Sequence, residues 1–501
     1  MKLWQELVTT SLIGTGRKVP VLPSSGTPLE TQLAALRGVE PERALLGAAA
    51  LLYLYQQSGQ LPRTQGGDLP EPCGTETLPR CRPGATHYLS MMVEGQHQDL
   101  LPEWLTTTAL LEQRVPEELL PGLLEMGRKR SELREAIVPV IGQRGRWLAA
   151  QNQCWEYAAE FAEEASLWQT SKRGTRLLMI QQIRSHTPEH ARQLLQSTWN
   201  EDSPEDRASF METFTVGLSM EDEPFLENAL TDTRKEVRQA AATLLAQLPA
   251  SRLVQRMMER AKQFIRFDQD HIEVALPEER DAAMIQDGIE ELNASYGSSN
   301  LGEKSWWLRQ ILQVIPPAYW VERWKMAPTV LVGQLEMEET REWKELFLEA
   351  WSAATLIHED AEWAEAILTK HPTKTHLLDI MPPAQREAFL LRLLEAAGDT
   401  PYRNPAILPL LMQYQRSWSP ELTRAVLIGL GKYFSSNDTS IYWQLHSALK
   451  EFARRMAPSF VAEAESILLP EVQKTPAWRR SFDEFLTVLQ FRHQMLKEFS
   501  S

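Results

Sequence analysis

Apolar residues recur every three or four positions through most of this chain, and the pattern is cleanest from Asp222 to Arg252. That spacing lines one face of an α-helix. Phe225, Leu226, Ala229 and Leu230 form one such face, and Val237, Ala240, Ala241, Leu244, Leu245 and Leu248 form a second. Pro224 opens the first helix, where a missing N–H does no harm. Thr231 to Thr233 is the turn between two short antiparallel helices. Thr233 followed by Glu236 reads as a capping box, each side chain satisfying an orphan backbone N–H. Pro249 ends the second helix.

A weaker copy precedes this hairpin. Its first helix begins at Pro188 and its second at Pro204, with Phe210, Met211, Phe214 and Leu218 on the apolar side. Arg207 then aligns with Arg238, 31 positions on. Helix pairs repeating at a fixed period of roughly 20 to 50 residues mark a helical solenoid. The stretch Asp222 to Pro249 is similar to a HEAT repeat: Asp232 in the turn, then Val237 and Arg238 five and six positions on, with Pro224 at the place of the family's kink proline. The polar run Ser219 to Glu223 departs from a long first helix. The preceding copy keeps an acid, Glu201, and Arg207, but has Asp206 where Val237 stands. The resemblance implies a structural role for Asp232 and Arg238, in hydrogen-bonded ladders between neighbouring turns.

Three stretches also make the whole chain resemble an uncharacterised bacterial family of all-helical proteins. They are Leu7 to Thr15, the glycine-broken corner Arg144 to Ala149, and Asp222 to Leu253. Such families tend to be encoded near MoxR-like ATPases and von Willebrand A-domain proteins. That resemblance implies a part in an assembly or chaperone system and brings no catalytic residues with it.

The expected fold is all-α, an irregular α-solenoid of HEAT-like hairpins in two halves, with one short strand segment between. Helices fill 1–56. Residues 57–99 are rich in Gly, Pro and Thr and read as a loop or linker. HEAT-like repeats occupy 100–267. A divider, 268–303, holds the strand candidate His271 to Val274, which alternates, and the break Ser295 to Gly302. Residues 304–501 are helical again. Lys474, Arg479 and Arg480 near the end fit the polar outer side of a terminal repeat.

With 501 residues the chain holds more than one core or one elongated array. Its 16 tryptophans are scattered, which suits the seams between helices. Three cysteines and no basic-then-apolar start point to a reducing compartment, so the cytoplasm is expected. No apolar run reaches the roughly 18 residues of a membrane span.

Few residues suggest chemistry. Cys73, Cys81, His87 and His97 are the candidate metal cluster, but their spacing matches no compact zinc knuckle. They read as ordinary thiols and histidines, and no metal or cofactor is expected. Gly14-Thr15-Gly16-Arg17-Lys18 lacks the spacing of a phosphate loop and reads as a helix exit. His358-Glu359-Asp360 reads as a turn. No His-Glu-x-x-His and no Gly-x-Ser-x-Gly is present.

One basic stripe stands out in an acidic protein of net charge −15. Arg252, Arg256 and Arg260 are four apart and share a helix face, followed by Arg266. They are the candidate partner-binding residues. The leading expectation is a non-catalytic protein-binding scaffold. The runner-up is a nucleic-acid accessory using the stripe, although the overall charge opposes broad binding to phosphate backbones. The third is an enzyme with a cleft between the two halves.

Overall fold

The computed structural model describes residues 2–19, 21–22, 29–58, 70–159, 168, 173–268, 271–292, 302–436 and 441–500. The described chain is mostly helical, with a single two-stranded antiparallel sheet among those residues. It divides into two compact units, Met1–Pro72 and Cys73–Ser501. Among the described residues no helix is long and apolar enough to cross a membrane.

The first unit contains the helices Lys2–Ile13, Leu29–Ala34 and Pro41–Ser58. Leu7, Leu29, Leu33, Ala48 and Leu52 make its core. Gly14 leaves the first helix at φ +89°. Arg17 and Lys18 then donate their N–H groups to the Gly14 carbonyl at 3.0 and 3.1 Å. The glycine takes a left-handed conformation that side chains resist, and so turns the chain out of the helix.

In the second unit, part of the expected 57–99 loop is a helix, Pro83–Val93. Residues 59–69 lie outside the described residues. Ala85, Leu89 and Met92 are buried at helical spacing, and Pro83 sits in the first turn, where its missing N–H costs nothing. Composition pointed to a loop; the periodicity of three apolar residues outweighs it. The stretch before this helix is pinned as well. Arg114 N donates to Pro79 O at 2.8 Å, and Cys81 N to Arg114 O at 2.9 Å. The Glu76 carboxylate accepts from Gln143 N and Arg144 N at 2.9 Å each. It thereby satisfies orphan donors at the start of the helix Gly142–Ala150. Gly142, at φ +64°, leaves room for that carboxylate: a Cβ there would sit 2.5 Å from Glu76 Oε2.

The strand His271–Val274 forms, and its partner is Ile265–Asp268, which continues directly from the helix Arg252–Phe264. Ile265 faces Val274 and Asp268 faces His271. Residues 269–270 and 293–301 lie outside the described residues, and with them most of the break expected at Ser295 to Gly302. The rest of 268–303 belongs to the second unit. Trp320, Trp351 and Trp363 are fully buried. Trp351 and Trp363 meet edge to face at 5.0 Å, joining the helices Lys344–Ile357 and Ala361–Lys370.

The ends of the second unit meet. The helix Arg479–Ser500 packs on Tyr442–Arg455 and on Pro83–Val93. Lys474, Arg479 and Arg480 pair with Glu471, Asp483 and Glu484 on the outside, at 2.9, 3.3 and 3.0 Å. Phe482, Phe485, Leu489, Met495 and Phe499 are buried on the inside, each contributing roughly 1.5–3 kcal/mol by area. Phe491 meets Tyr88 edge to face at 5.0 Å, and Phe499 lies 5.6 Å from Trp104. Arg492, fully buried, donates to both Glu103 oxygens at 2.7 and 2.6 Å. Its Nη1 donates to Ala453 O and Met456 O at 2.7 Å each. Removing the carboxylate leaves an uncompensated buried charge. Glu103→Ala is therefore expected to lower stability by roughly 3–5 kcal/mol in urea unfolding. The double variant Glu103→Leu/Arg492→Met recovers most of that loss.

Candidate functional site

The sequence hairpin folds as the helix Glu223–Ala229, a turn, and the helix Lys235–Ala246. Phe225, Leu226 and Ala229 face Val237, Ala241, Leu244 and Leu245, all buried. The Thr233–Glu236 capping box does not form. Helix geometry begins at Lys235, and the extended Arg234 before it has no side-chain cap. Asp232 takes the role instead: its Oδ1 accepts from Arg234 N at 2.9 Å. A short acidic side chain bonding two residues on is an Asx turn, and it displaces the box. The capping box lies one helix earlier, between Ser219 and Asp222.

Asp232 and Arg238 do bond, but through the main chain. Arg238 Nη1 donates to the carbonyls of Asp232 and Thr233 at 2.7 and 3.0 Å. The Asp232 carboxylate goes to the preceding copy, where Arg207 Nε lies at 3.0 Å and Nη2 donates at 3.3 Å. Arg207 Nη1 meanwhile donates to Asp202 O at 3.0 Å. The Asp202 carboxylate in turn accepts from Arg176 at 2.6 and 3.1 Å. Arg207 thus holds its own turn by a carbonyl and the next by a carboxylate, whereas Arg176 reaches the Asp202 carboxylate and Arg238 the carbonyls of its own turn. Arg176, Arg207 and Arg238 are spaced by 31 positions throughout. The turn acid of the preceding copy is Asp202, not Glu201. Arg176 and Asp202 were missed by sequence reasoning, although the same 31-residue spacing, carried back once more, reaches Arg176.

The basic stripe is a seam. Arg252 Nε and Nη2 donate to Glu223 at 2.7 and 3.1 Å. Arg256 donates to Glu227 at 3.1 and 3.2 Å and to Asp287 at 2.6 and 2.9 Å. Arg260 pairs with the second Asp287 oxygen at 2.6 Å. Glu223 and Glu227 are four apart on one helix, matching the four-residue spacing of Arg252 and Arg256 on the other. That matched spacing was the signal available in the sequence. Arg266 stands exposed on the first strand, opposite Glu273 in the ladder. Along the outer side of the stripe lies a cavity of about 720 Å³, lined in part by Gln255, Met258 and Lys262. Deeper in the fold, Arg184 is fully buried and donates to Asp222 Oδ2 at 2.9 Å, while Arg192 donates to Oδ1 at 2.8 Å.

After the helices Lys235–Ala246 and Arg252–Phe264 the chain makes the strand pair and the short helix Ala282–Gln286. Arg238 faces a cavity of about 520 Å³, bounded by Lys235 and Gln239 on its own helix and by Arg280, Gly288 and Glu290 across it. Lys235 pairs with Glu290 at 3.1 Å and Arg280 with Glu291 at 2.5 Å. A second cavity of about 410 Å³ runs from Gln239 to Trp306 and Gln310. Among the described residues lining these three cavities there is no histidine, cysteine or serine. The groups present can hold anions and hydrogen-bonding partners.

The other sequence candidates lie elsewhere. Burial raises the Cys81 thiol, whose sulfur lies 3.4 Å from Thr86 Oγ1. The His97 ring lies tilted, 4.3 Å from the Phe491 ring, and burial lowers its basicity. Among the described residues no three His, Cys, Asp or Glu gather as a metal site. His358 Nε2 lies 2.9 Å from Val314 O, and Asp360 caps the next helix at Glu362 N and Trp363 N.

Two expectations follow. Arg207→Gln removes a carboxylate and a carbonyl bond, so urea unfolding should show a loss of roughly 1.5–3 kcal/mol; Arg238→Gln, which gives up only carbonyl bonds, should lose about 1 kcal/mol. The Glu223 carboxyl is held below its ordinary value of 4.5, first by the Arg252 hydrogen bond. A carboxyl lowered on folding stabilises above its unfolded pKa and loses that contribution as pH falls through the folded value. In Glu223→Gln, the urea midpoint should therefore decline less below pH 4.5 than in the parent chain.

No curated protein and no solved structure matches this chain. A family described as "Family of unknown function (DUF5691)" matches residues 6–499, almost its full length. The chain belongs to that uncharacterised family.

Proposed function

We propose that this chain is a non-catalytic, protein-binding scaffold built on HEAT-like helical repeats arranged as an irregular solenoid. The observation that carries the reading is the register of Arg176, Arg207 and Arg238, with Asp202 and Asp232 between them. Arginines 31 positions apart, two of which reach an acid 26 and 25 positions on, fit stacked helical hairpins, and such stacks serve by presenting long surfaces. The cavity beside Arg238 is lined by three cations, two carboxylates and an amide together with Ile285, Ile289 and Leu292, which supports binding. The resemblance to families encoded near MoxR-like ATPases and von Willebrand A-domain proteins suggests an assembly machine as the setting.

The nucleic-acid reading is weakened by the carboxylates that Arg252, Arg256 and Arg260 already face. A guanidinium paired within the chain has little charge left to displace counterions from a phosphate backbone. Arg266 is exposed on its strand, opposite Glu273.

Affinity capture of the full chain from native lysate, with quantitative mass spectrometry, tests the scaffold. A specific protein should be enriched under gentle conditions and in near-stoichiometric amount. Recovery of nothing beyond background would overturn the reading. Titration with DNA and RNA at low salt should be flat, and steep salt-dependent binding would favour the nucleic-acid reading instead.

A further inference from the structure

Arg238 is an unfinished rung. Its two predecessors each engage a carboxylate from the next turn: Arg176 engages Asp202, and Arg207 engages Asp232. Arg238 holds its own turn as Arg207 does, by carbonyls through Nη1. Among the described residues no carboxylate pairs with it, and its side chain borders the 520 Å³ cavity rather than a further turn.

We infer that this cavity receives a carboxylate side chain, Asp or Glu, from a partner protein, which completes the third rung of the ladder. The inference rests on the scaffold reading and names the chemistry of its partner. Three cations border the cavity, Lys235, Arg238 and Arg280, against two carboxylates, Glu290 and Glu291. The balance is one positive charge, which suits a monoanion. A planar guanidinium fork matches a carboxylate geometrically. Ile285 and Leu292 stand exposed at the rim, so an apolar residue beside the acidic one finds contact there. Gly288 keeps the floor thin: at φ +86° it lies against Ala242, where a Cβ would come within 2.9 Å.

The test uses the full chain with N-acetyl-aspartate N′-methylamide as the probe, and the asparagine analogue and inorganic phosphate as comparisons. Binding is followed by the Nε–H resonance of Arg238 at low salt. The aspartate probe should shift that resonance saturably, and the asparagine analogue should not. Arg238→Gln should weaken binding, read by the Gly288 amide, roughly tenfold or more. Because that variant also loosens the Asp232 turn, a second variant guards the result. Glu291, 70% exposed in its side chain, can become Gln without touching the ladder, and Glu291→Gln should tighten the probe severalfold by removing an opposing charge. Equal shifts with aspartate and asparagine, tighter binding of phosphate, or no gain in Glu291→Gln would each overturn the inference. Failure here with successful capture from lysate would remove the pocket and leave the scaffold standing; failure of capture alone would do the reverse.

Discussion

A guanidinium taken out of water must find acceptors for its N–H groups, or its burial costs several kcal/mol. The buried arginines of the second unit meet this demand in one recurring way. Each reaches carbonyls at the end of another helical turn. Arg184 donates to Val216 O at 2.8 Å, just after the turn Thr213–Thr215. Arg386 donates to Asp379 O and Met381 O at 2.6 and 2.9 Å, at the end of Thr375–Ile380. Arg455 donates to Leu411 O and Met412 O at 3.0 and 2.8 Å, at the end of Ile407–Gln413. Arg492 does the same for Tyr442–Arg455. The last carbonyls of a helix have no partner within it and carry the negative end of its dipole. One planar cation satisfies two of them and is stabilised by them.

That device explains why short helices suffice here. A helix of seven residues, such as Ile407–Gln413, is marginal alone because nucleation is costly. Capping its end with an arginine from another helix ties local order to tertiary packing. The acids do the matching work at helix starts. Glu76 holds two N–H groups of Gly142–Ala150, and Asp360 holds two of Ala361–Lys370. Much of the charge in the sequence is thus joinery between helices rather than a solvated coat.

The helices, the turn acid Asp232 and the strand His271–Val274 were legible because each rests on local spacing or local hydrogen bonding. The helix Pro83–Val93 was hidden by glycine and proline around it, though Ala85, Leu89 and Met92 carry the period. The strand Ile265–Asp268 was hidden because it continues a helix without a break signal, and its partner supplies half of its reason to exist. What stayed illegible was pairing at long range. Nothing local says that Arg492 belongs to Glu103, 389 positions away. The arginine stripe was read as a free surface because its partners, Glu223, Glu227 and Asp287, lie on other elements. Asp287, from the stretch taken as a divider, holds two of those arginines at once.

The contrast between Arg256 and Arg238 shows where binding capacity remains. Both are half-buried and both stand where neighbouring turns meet. Arg256 faces two carboxylates, so an incoming anion must first displace them. Arg238 spends one nitrogen on carbonyls and keeps the rest of its fork toward a cavity. In a protein of net charge −15, long-range attraction for an acidic partner is absent, and screening shortens what repulsion there is to about 8–10 Å. Recognition of an acid must then come from a preorganised donor at short range. Arg238, half-buried beside the cavity of about 520 Å³, is a donor of that kind.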